Sequence, residues 1–310
     1  MRKLFILMIV VILMAISVQV YLEYGNYHRI TVEGGTLFGR SMGKNKDMIV
    51  LLLAGSGPTD MDGNTPLLPG RNDSLLLLAQ GLAQEGISTF RYDKRTAGKS
   101  AGTFDREAPL EFDTFVQDCT AVVHYLKEQG YKNIVIAGHS KGSLVGMLTA
   151  QDTGASGFIS LAGTGLPIDV TLERQLSAQL PADSQEIRVL QGLRAGTVDF
   201  SIPSDHMFSP SQQRFLLSWM AYDPAVIIAE LEIPVLVLQG DADIQIAEAD
   251  FFPLCENAGE ASCLVIPGMN HVLKDIRVSE DADPLASYSD PAYPLHEELV
   301  PAIAAFVRSL

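Results

Sequence analysis

The chain has 310 residues, 47% of them hydrophobic, enough to bury one large α/β core or two small ones. Its 37 acidic residues against 22 basic ones give a formal charge of -15, and no Lys/Arg cluster interleaved with aromatics tracks a phosphate backbone. Nucleic acid is excluded as a partner on those grounds, and the acidity reads as a solvated surface.

Arg2 and Lys3 precede an apolar run from Leu4 to Val18, interrupted at Gln19 and extended by Val20 to Leu22. Basic residues ahead of such a run are the pattern of an export segment, with the two charges kept on the cytoplasmic side. Ala15-Ile16-Ser17 offers a signal peptidase small residues, yet the run is also long enough to span a bilayer, so residues 1–25 fit either a cleaved signal peptide or a membrane anchor. Both place the body, residues 26–310, outside the cytoplasm.

From His28 onward strand and helix patterns alternate, without internal repeats or low-complexity tracts. Strands are expected at His28 to Val32, Thr36 to Met42, Met48 to Ala54, Ser88 to Tyr92, Ile134 to Gly138, Gly157 to Ala162, Pro234 to Gly240 and Ser262 to Ile266. Between them, helical periodicity covers Ser74 to Glu85, Phe112 to Gln129, Lys141 to Asp152, Glu248 to Ala258 and Leu295 to Leu310. This predicts an α/β protein, a mostly parallel eight-stranded sheet with helices on both faces. The first two strands leave no room for a crossover and should form an antiparallel hairpin.

One connection breaks the rhythm. The about 70 residues from Gly163 to Ile233 far exceed a strand-to-helix loop and carry four helical stretches of their own, Thr171 to Leu180, Ala182 to Leu193, Pro210 to Met220 and Pro224 to Leu231. This reads as a helical cap inserted at about 163–233. Met207, Phe208, Phe215, Trp219 and Met220 within it suit packing, and from a cap they would also line a ligand site.

Ile134-Val135-Ile136-Ala137-Gly138-His139-Ser140-Lys141-Gly142 is a β-branched strand running through Gly-x-Ser-x-Gly into a helix, the pattern of a nucleophile elbow. The strand-to-helix turn is so sharp that only small residues fit two before and two after the serine. Ser140 then needs a base, and the base needs a group that orients it. Strand Pro234 to Gly240 ends in Asp241-Ala242-Asp243, and Asp243, three past the glycine, is the better placed acid; Asp241 is expected to hold the turn. The last strand is followed by Pro267-Gly268-Met269-Asn270-His271, which delivers an imidazole to the same edge. His206 in the insert is the rival base, read as cap surface or substrate contact, whereas His139 is expected to point away from Ser140. The oxyanion of a tetrahedral intermediate calls for backbone donors, expected from Lys141 N–H at the helix start and Ser56 N–H in Gly55-Ser56-Gly57-Pro58.

Two other motifs fail by their parts. Gly98-Lys99-Ser100 lacks the first glycine of a phosphate loop, Asp93 standing in its place, and Asp60-x-Asp62-x-Asn64 ends on Arg71 where a calcium loop needs glutamate. Neither a metal nor an organic cofactor is implied. Of the three cysteines, Cys255 and Cys263 would pair in an oxidising compartment with Cys119 left buried, and three reduced thiols fit the sequence equally well.

The order Ser140, Asp243, His271 is the one expected of an α/β-hydrolase, and residues 27–310 resemble that superfamily, most closely its bacterial serine esterases. Leu51 to Asn64 looks like the Gly-Ser-Gly-Pro-x-Asp-x-Asp-Gly-Asn oxyanion loop of a subgroup, and Arg91 to Ser100 is similar to the superfamily's Asp-x-Arg-Gly-x-Gly-x-Ser turn, with Thr96 in place of a glycine. The resemblance implies the triad roles for Ser140, Asp243 and His271 and supports Ser56 and Lys141 as oxyanion donors; the Lys141 ammonium is read as solvated. The expectation is an exported hydrolase of small to medium carboxylic esters, acting through an acyl-enzyme. A thioesterase, acyltransferase or peptidase using the same triad, or a non-catalytic ligand-binding protein, are the alternatives.

Overall fold

The computed structural model describes residues 27–105, 108–277 and 285–310; the export segment expected over residues 1–25 lies outside them. Eight strands, β1 (Tyr27–Val32), β2 (Gly35–Met42), β3 (Met48–Leu53), β4 (Ser88–Asp93), β5 (Asn133–His139), β6 (Gly157–Leu161), β7 (Val235–Gly240) and β8 (Ala261–Ile266), form one sheet in the order β1-β2-β4-β3-β5-β6-β7-β8. β1 and β2 make the expected antiparallel hairpin, β2 pairs antiparallel with β4, and every pairing from β4 to β8 is parallel.

Strand alternation sends apolar side chains to two separate cores. Ile49, Leu51, Ile134, Ile136, Val235 and Val237 face one side, and Val50, Leu52, Val135, Ala137, Leu236 and Leu238 the other. Because both faces are covered, the central strands read as unbroken apolar runs, which is why the sequence located them within a residue or so. The first core is closed by α2 (Phe112–Glu128), α3 (Lys141–Thr153) and α8 (Glu248–Asn257); the second by α1 (Ser74–Gln84) and α9 (Leu299–Ser309).

Between β6 and β7 the chain forms four helices, α4 (Ile168–Ser177), α5 (Gln185–Arg194), α6 (Pro210–Trp219) and α7 (Pro224–Ala229). Phe215 and Trp219 of α6 lie against Phe112 of α2, the Trp219 and Phe112 rings stacked with centroids 5.3 Å apart, which ties the insert to the sheet-covering helices. Helix α9 starts four residues later than periodicity suggested. The reason is tertiary: Leu295 bridges to Lys274 and His296 N–H donates to Leu273 O, so these residues are committed to the segment after β8.

Cys255 of α8 and Cys263 of β8 form a disulfide, while Cys119 is buried and free. Among the described residues no helix is long and apolar enough to cross a membrane.

Candidate active site

The turn at Ser140 joins β5 to α3, and its geometry explains the glycines around it. Ser140 sits at φ 54°, ψ -124°, a region that L residues avoid, and a Cβ on Gly138 would stand 2.2 Å from Gly142 O. A Cβ on Gly142 would stand 2.8 Å from Leu53 O at the end of β3. The strained backbone is held by Ser140 N–H donating to Leu161 O at 2.9 Å and by Ser143 N–H donating to Ser140 O at 2.9 Å.

His271, on the segment after β8, and Asp243, on the turn after β7, come together as the sequence anticipated. His271 Nδ1 donates to Asp243 Oδ2 at 2.8 Å, and the Asp243 side chain is fully buried. Asp243 Oδ1 accepts from the backbone N–H groups of Gln245 (2.7 Å) and Ile246 (2.9 Å), and Oδ2 also accepts from Gln239 Nε2 at 3.1 Å. Burial alone would raise this carboxyl's pKa. The charge and hydrogen bond of His271, with the two backbone donors, override it and hold Asp243 below its ordinary value, so it is a carboxylate. Asp241 does hold the turn, its Oδ1 accepting from Gly268 N–H at 2.6 Å.

Ser140 and His271 line one cavity of about 610 Å3 together with Ser56, Lys141 and, from the insert, Phe215 and Trp219. No hydrogen bond links Ser140 to His271, a link that in resting enzymes often forms only with substrate present. His206 is not part of this lining; it lies 3.5 Å from Glu186, although its neighbours Met207 and Phe208 reach the cavity.

Two expectations are corrected. His139 does not point away from the site: it lines the cavity, its ring 4.8 Å from that of His271, and its Nε2–H donates to His271 O at 2.7 Å. Burial, then the charge of His271, pushes its pKa down to about 3, so it is neutral and serves as a fixed prop for His271. The Lys141 side chain, in turn, is not solvated. It is 5% exposed, with Nζ 3.5 Å from the Phe115 ring centroid and 5.4 Å from that of Phe215, and it has no hydrogen-bond or ion-pair partner among the described residues.

Burial pushes the Lys141 pKa down to about 7. Between pH 7 and the ordinary lysine value the unfolded chain therefore holds one proton more than the folded one, so this group makes stability rise with pH across that window. Lys141→Met removes the penalty and keeps the volume; it is expected to stabilise the fold by on the order of 3 kcal/mol at pH 7 and about half that at pH 9. Urea denaturation of both proteins at the two pH values checks this, and a variant no more stable than the wild type at pH 7 would contradict a buried, unpaired amine.

Sequence reasoning also missed Lys94. It is 6% exposed and its Nζ donates to Gly55 O, beside Ser56. The Arg91 to Ser100 turn signalled a structured loop after β4 but gave no hint that this lysine folds inward.

Strand order, elbow and the acid and base at the carboxyl edge define a class: the chain is an α/β-hydrolase-superfamily protein resembling bacterial esterases. Residues 70–192 match the family model for serine aminopeptidase, S33. Esterase EstD of Thermotoga maritima is 28% identical over 233 residues, covering 72% of this chain and 54% of that protein, so the chain spans about half the length of this curated relative. Among solved structures, Est1E of Butyrivibrio proteoclasticus superposes with a TM-score of 0.59 at 15% identity, covering 92% of this chain and 98% of that one. An esterase of Pyrococcus furiosus gives 0.60 at 16% identity (91% and 90% covered), and a proline iminopeptidase of Mycobacterium smegmatis 0.56 at 15% (91% and 98%). These structural likenesses speak for the fold.

Proposed function

We propose that this protein is an exported serine esterase that cleaves small to medium carboxylic esters through an acyl-enzyme. Ser140 Oγ attacks the ester carbonyl while His271 Nε2 takes its proton. Asp243 fixes the His271 tautomer and balances the imidazolium, and the N–H groups of Ser56 and Lys141 receive the oxyanion. His271 then protonates the leaving alcohol, and water, activated by the same imidazole, releases the acid.

The observation that carries this reading is the buried Asp243 to His271 hydrogen bond, with His271 and the strained Ser140 lining one cavity. Export is supported by the Cys255 to Cys263 disulfide, since such bonds persist in oxidising compartments.

The match to a serine aminopeptidase model raises a peptidase as the second reading. An aminopeptidase must hold the substrate's free ammonium, and burying that charge without a carboxylate is costly. No Asp or Glu lines the cavity among the described residues; its one charged amine, Lys141, would repel such a group. The cavity therefore favours esters over amino-terminal peptides.

A fluorophosphonate probe separates these outcomes. It is expected to label the protein once, at Ser140 by peptide mass, and p-nitrophenyl butyrate should be turned over with a kcat/KM at least about 100-fold above that for alanine p-nitroanilide. Turnover of the anilide alone would favour the peptidase, and binding without labelling or turnover would favour a receptor.

A further inference from the structure

Lys94 lies at the end of β4, away from Ser140 in sequence, yet it touches the loop that carries Ser56. Its buried Nζ donates to Gly55 O. Gly55 itself abuts the nucleophile, since a Cβ placed on it would stand 3.1 Å from Ser140 Cβ and 3.2 Å from His139 Nδ1. The Gly55-Ser56 peptide is planar and trans, so its C=O and the following N–H point in opposite directions. A lysine holding the carbonyl from beneath turns the Ser56 N–H toward the opposite side.

The next residue back braces the far end of the same loop. Asp93 Oδ1 accepts from Met61 N–H at 2.9 Å, while its Oδ2 accepts from Lys99 N–H at 2.8 Å. Between these two anchors, Thr59 Oγ1 donates to Ser56 O at 2.7 Å. Two consecutive residues of β4 thus clamp a seven-residue stretch, Gly55 to Met61, at both ends. Two buried positive charges near one another, Lys94 and Lys141, are an arrangement that folding alone disfavours: burial first, and then repulsion from Lys141, lower the Lys94 pKa well below its ordinary value. An apolar side chain would fill the same space at less cost.

We infer that Lys94 is a positioning residue that sets the oxyanion hole, orienting the Gly55-Ser56 peptide through its carbonyl and polarising that peptide so that Ser56 N–H is a stronger donor to the developing charge. The inference rests on the ester-hydrolase reading. It makes a distinct demand: the contact strengthens only where the oxyanion forms, so its loss is felt in the transition state and not in substrate binding.

The test compares Lys94→Met, which keeps length and removes the donor, with Lys94→Arg, which keeps both donor and charge. On p-nitrophenyl butyrate, Lys94→Met should lower kcat about 100-fold with KM changed less than about threefold, while Lys94→Arg retains at least about a tenth of wild-type kcat. Phenylboronic acid, whose serine adduct places an oxygen where the oxyanion forms, should lose affinity for Lys94→Met in proportion to kcat. A role in folding alone would leave the boronate affinity of the folded fraction untouched.

A Lys94→Met kcat within threefold of wild type, a loss carried by KM, or a kcat loss with unchanged boronate affinity would each overturn the inference. If Lys94→Met does not fold, Lys94→Gln replaces it: its shorter amide cannot span to Gly55 O, so kcat should fall at least about tenfold, and wild-type turnover refutes the proposal. Wild type and Ser140→Ala are measured alongside. Without Ser140-dependent ester turnover the hydrolase reading itself fails, whereas Ser140-dependent turnover that ignores Lys94 sinks only this inference.

Discussion

Replacing Ser140 by alanine is expected to lower kcat on p-nitrophenyl butyrate by about 10⁵- to 10⁶-fold, because the covalent route is lost while the oxyanion donors and the cavity remain. KM should change little. Steady-state assays of highly purified protein check it, and a residual rate above about 1% of wild type would mean that another group performs the attack. Backbone strain gives the experiment a second arm. Ser140 is held at φ 54°, where a side chain is costly and glycine is at ease. Ser140→Gly should therefore be as inactive as Ser140→Ala but more stable, by roughly 1 kcal/mol after the entropy glycine adds to the unfolded chain is subtracted. A stabilised, inactive glycine variant would show that the strain at this turn is maintained for exposing the hydroxyl. Equal stabilities of the glycine and alanine variants would mean that the turn is not strained in solution.

Much of this architecture is legible in the chain because burial on both faces turns each central strand into an apolar run. Met48 to Leu53 and Val235 to Gly240 are two such runs, and each ends near a residue of the candidate site. The elbow is legible for a different reason: Gly138 and Gly142 are sterically required, so the turn leaves a mark in composition. What escaped the sequence depends on contacts between distant segments. His139 was expected to face away from Ser140, but the positive φ at Ser140 ends strand alternation there, and the imidazole settles against His271, 132 residues on. Lys141 and Lys94 carry side chains that composition assigns to solvent, and only the meeting of β3, β4 and α2 around the elbow buries them. The start of α9 escaped for the same reason, since Leu295 pairs with Lys274 instead of continuing a helical period.

The Asp243 to His271 pair yields the second large effect. The Asp243 carboxylate accepts four hydrogen bonds, two from backbone N–H groups at Oδ1 and those of His271 and Gln239 at Oδ2. Asparagine offers one acceptor oxygen. If that oxygen keeps the two fixed backbone donors, the amide nitrogen faces His271 Nδ1, and two N–H groups cannot oppose each other in a buried site. The imidazole then changes tautomer, with Nδ1 accepting and Nε2 carrying the proton, and it can no longer take a proton from Ser140. Asp243→Asn is expected to lower kcat by about 10³- to 10⁴-fold with KM nearly unchanged. Stability should respond with a definite sign. The folded pKa of Asp243 lies below its ordinary value, so the wild type holds this group's contribution above about pH 4 and loses it as the pH falls through the depressed value. The stability gap between wild type and Asp243→Asn should accordingly be largest near neutrality and narrow below about pH 4 in acid denaturation. Full turnover in Asp243→Asn would remove Asp243 from the mechanism. Lost turnover with a gap that does not narrow in acid would leave its role in orienting His271 and deny it the charged pairing with that imidazole.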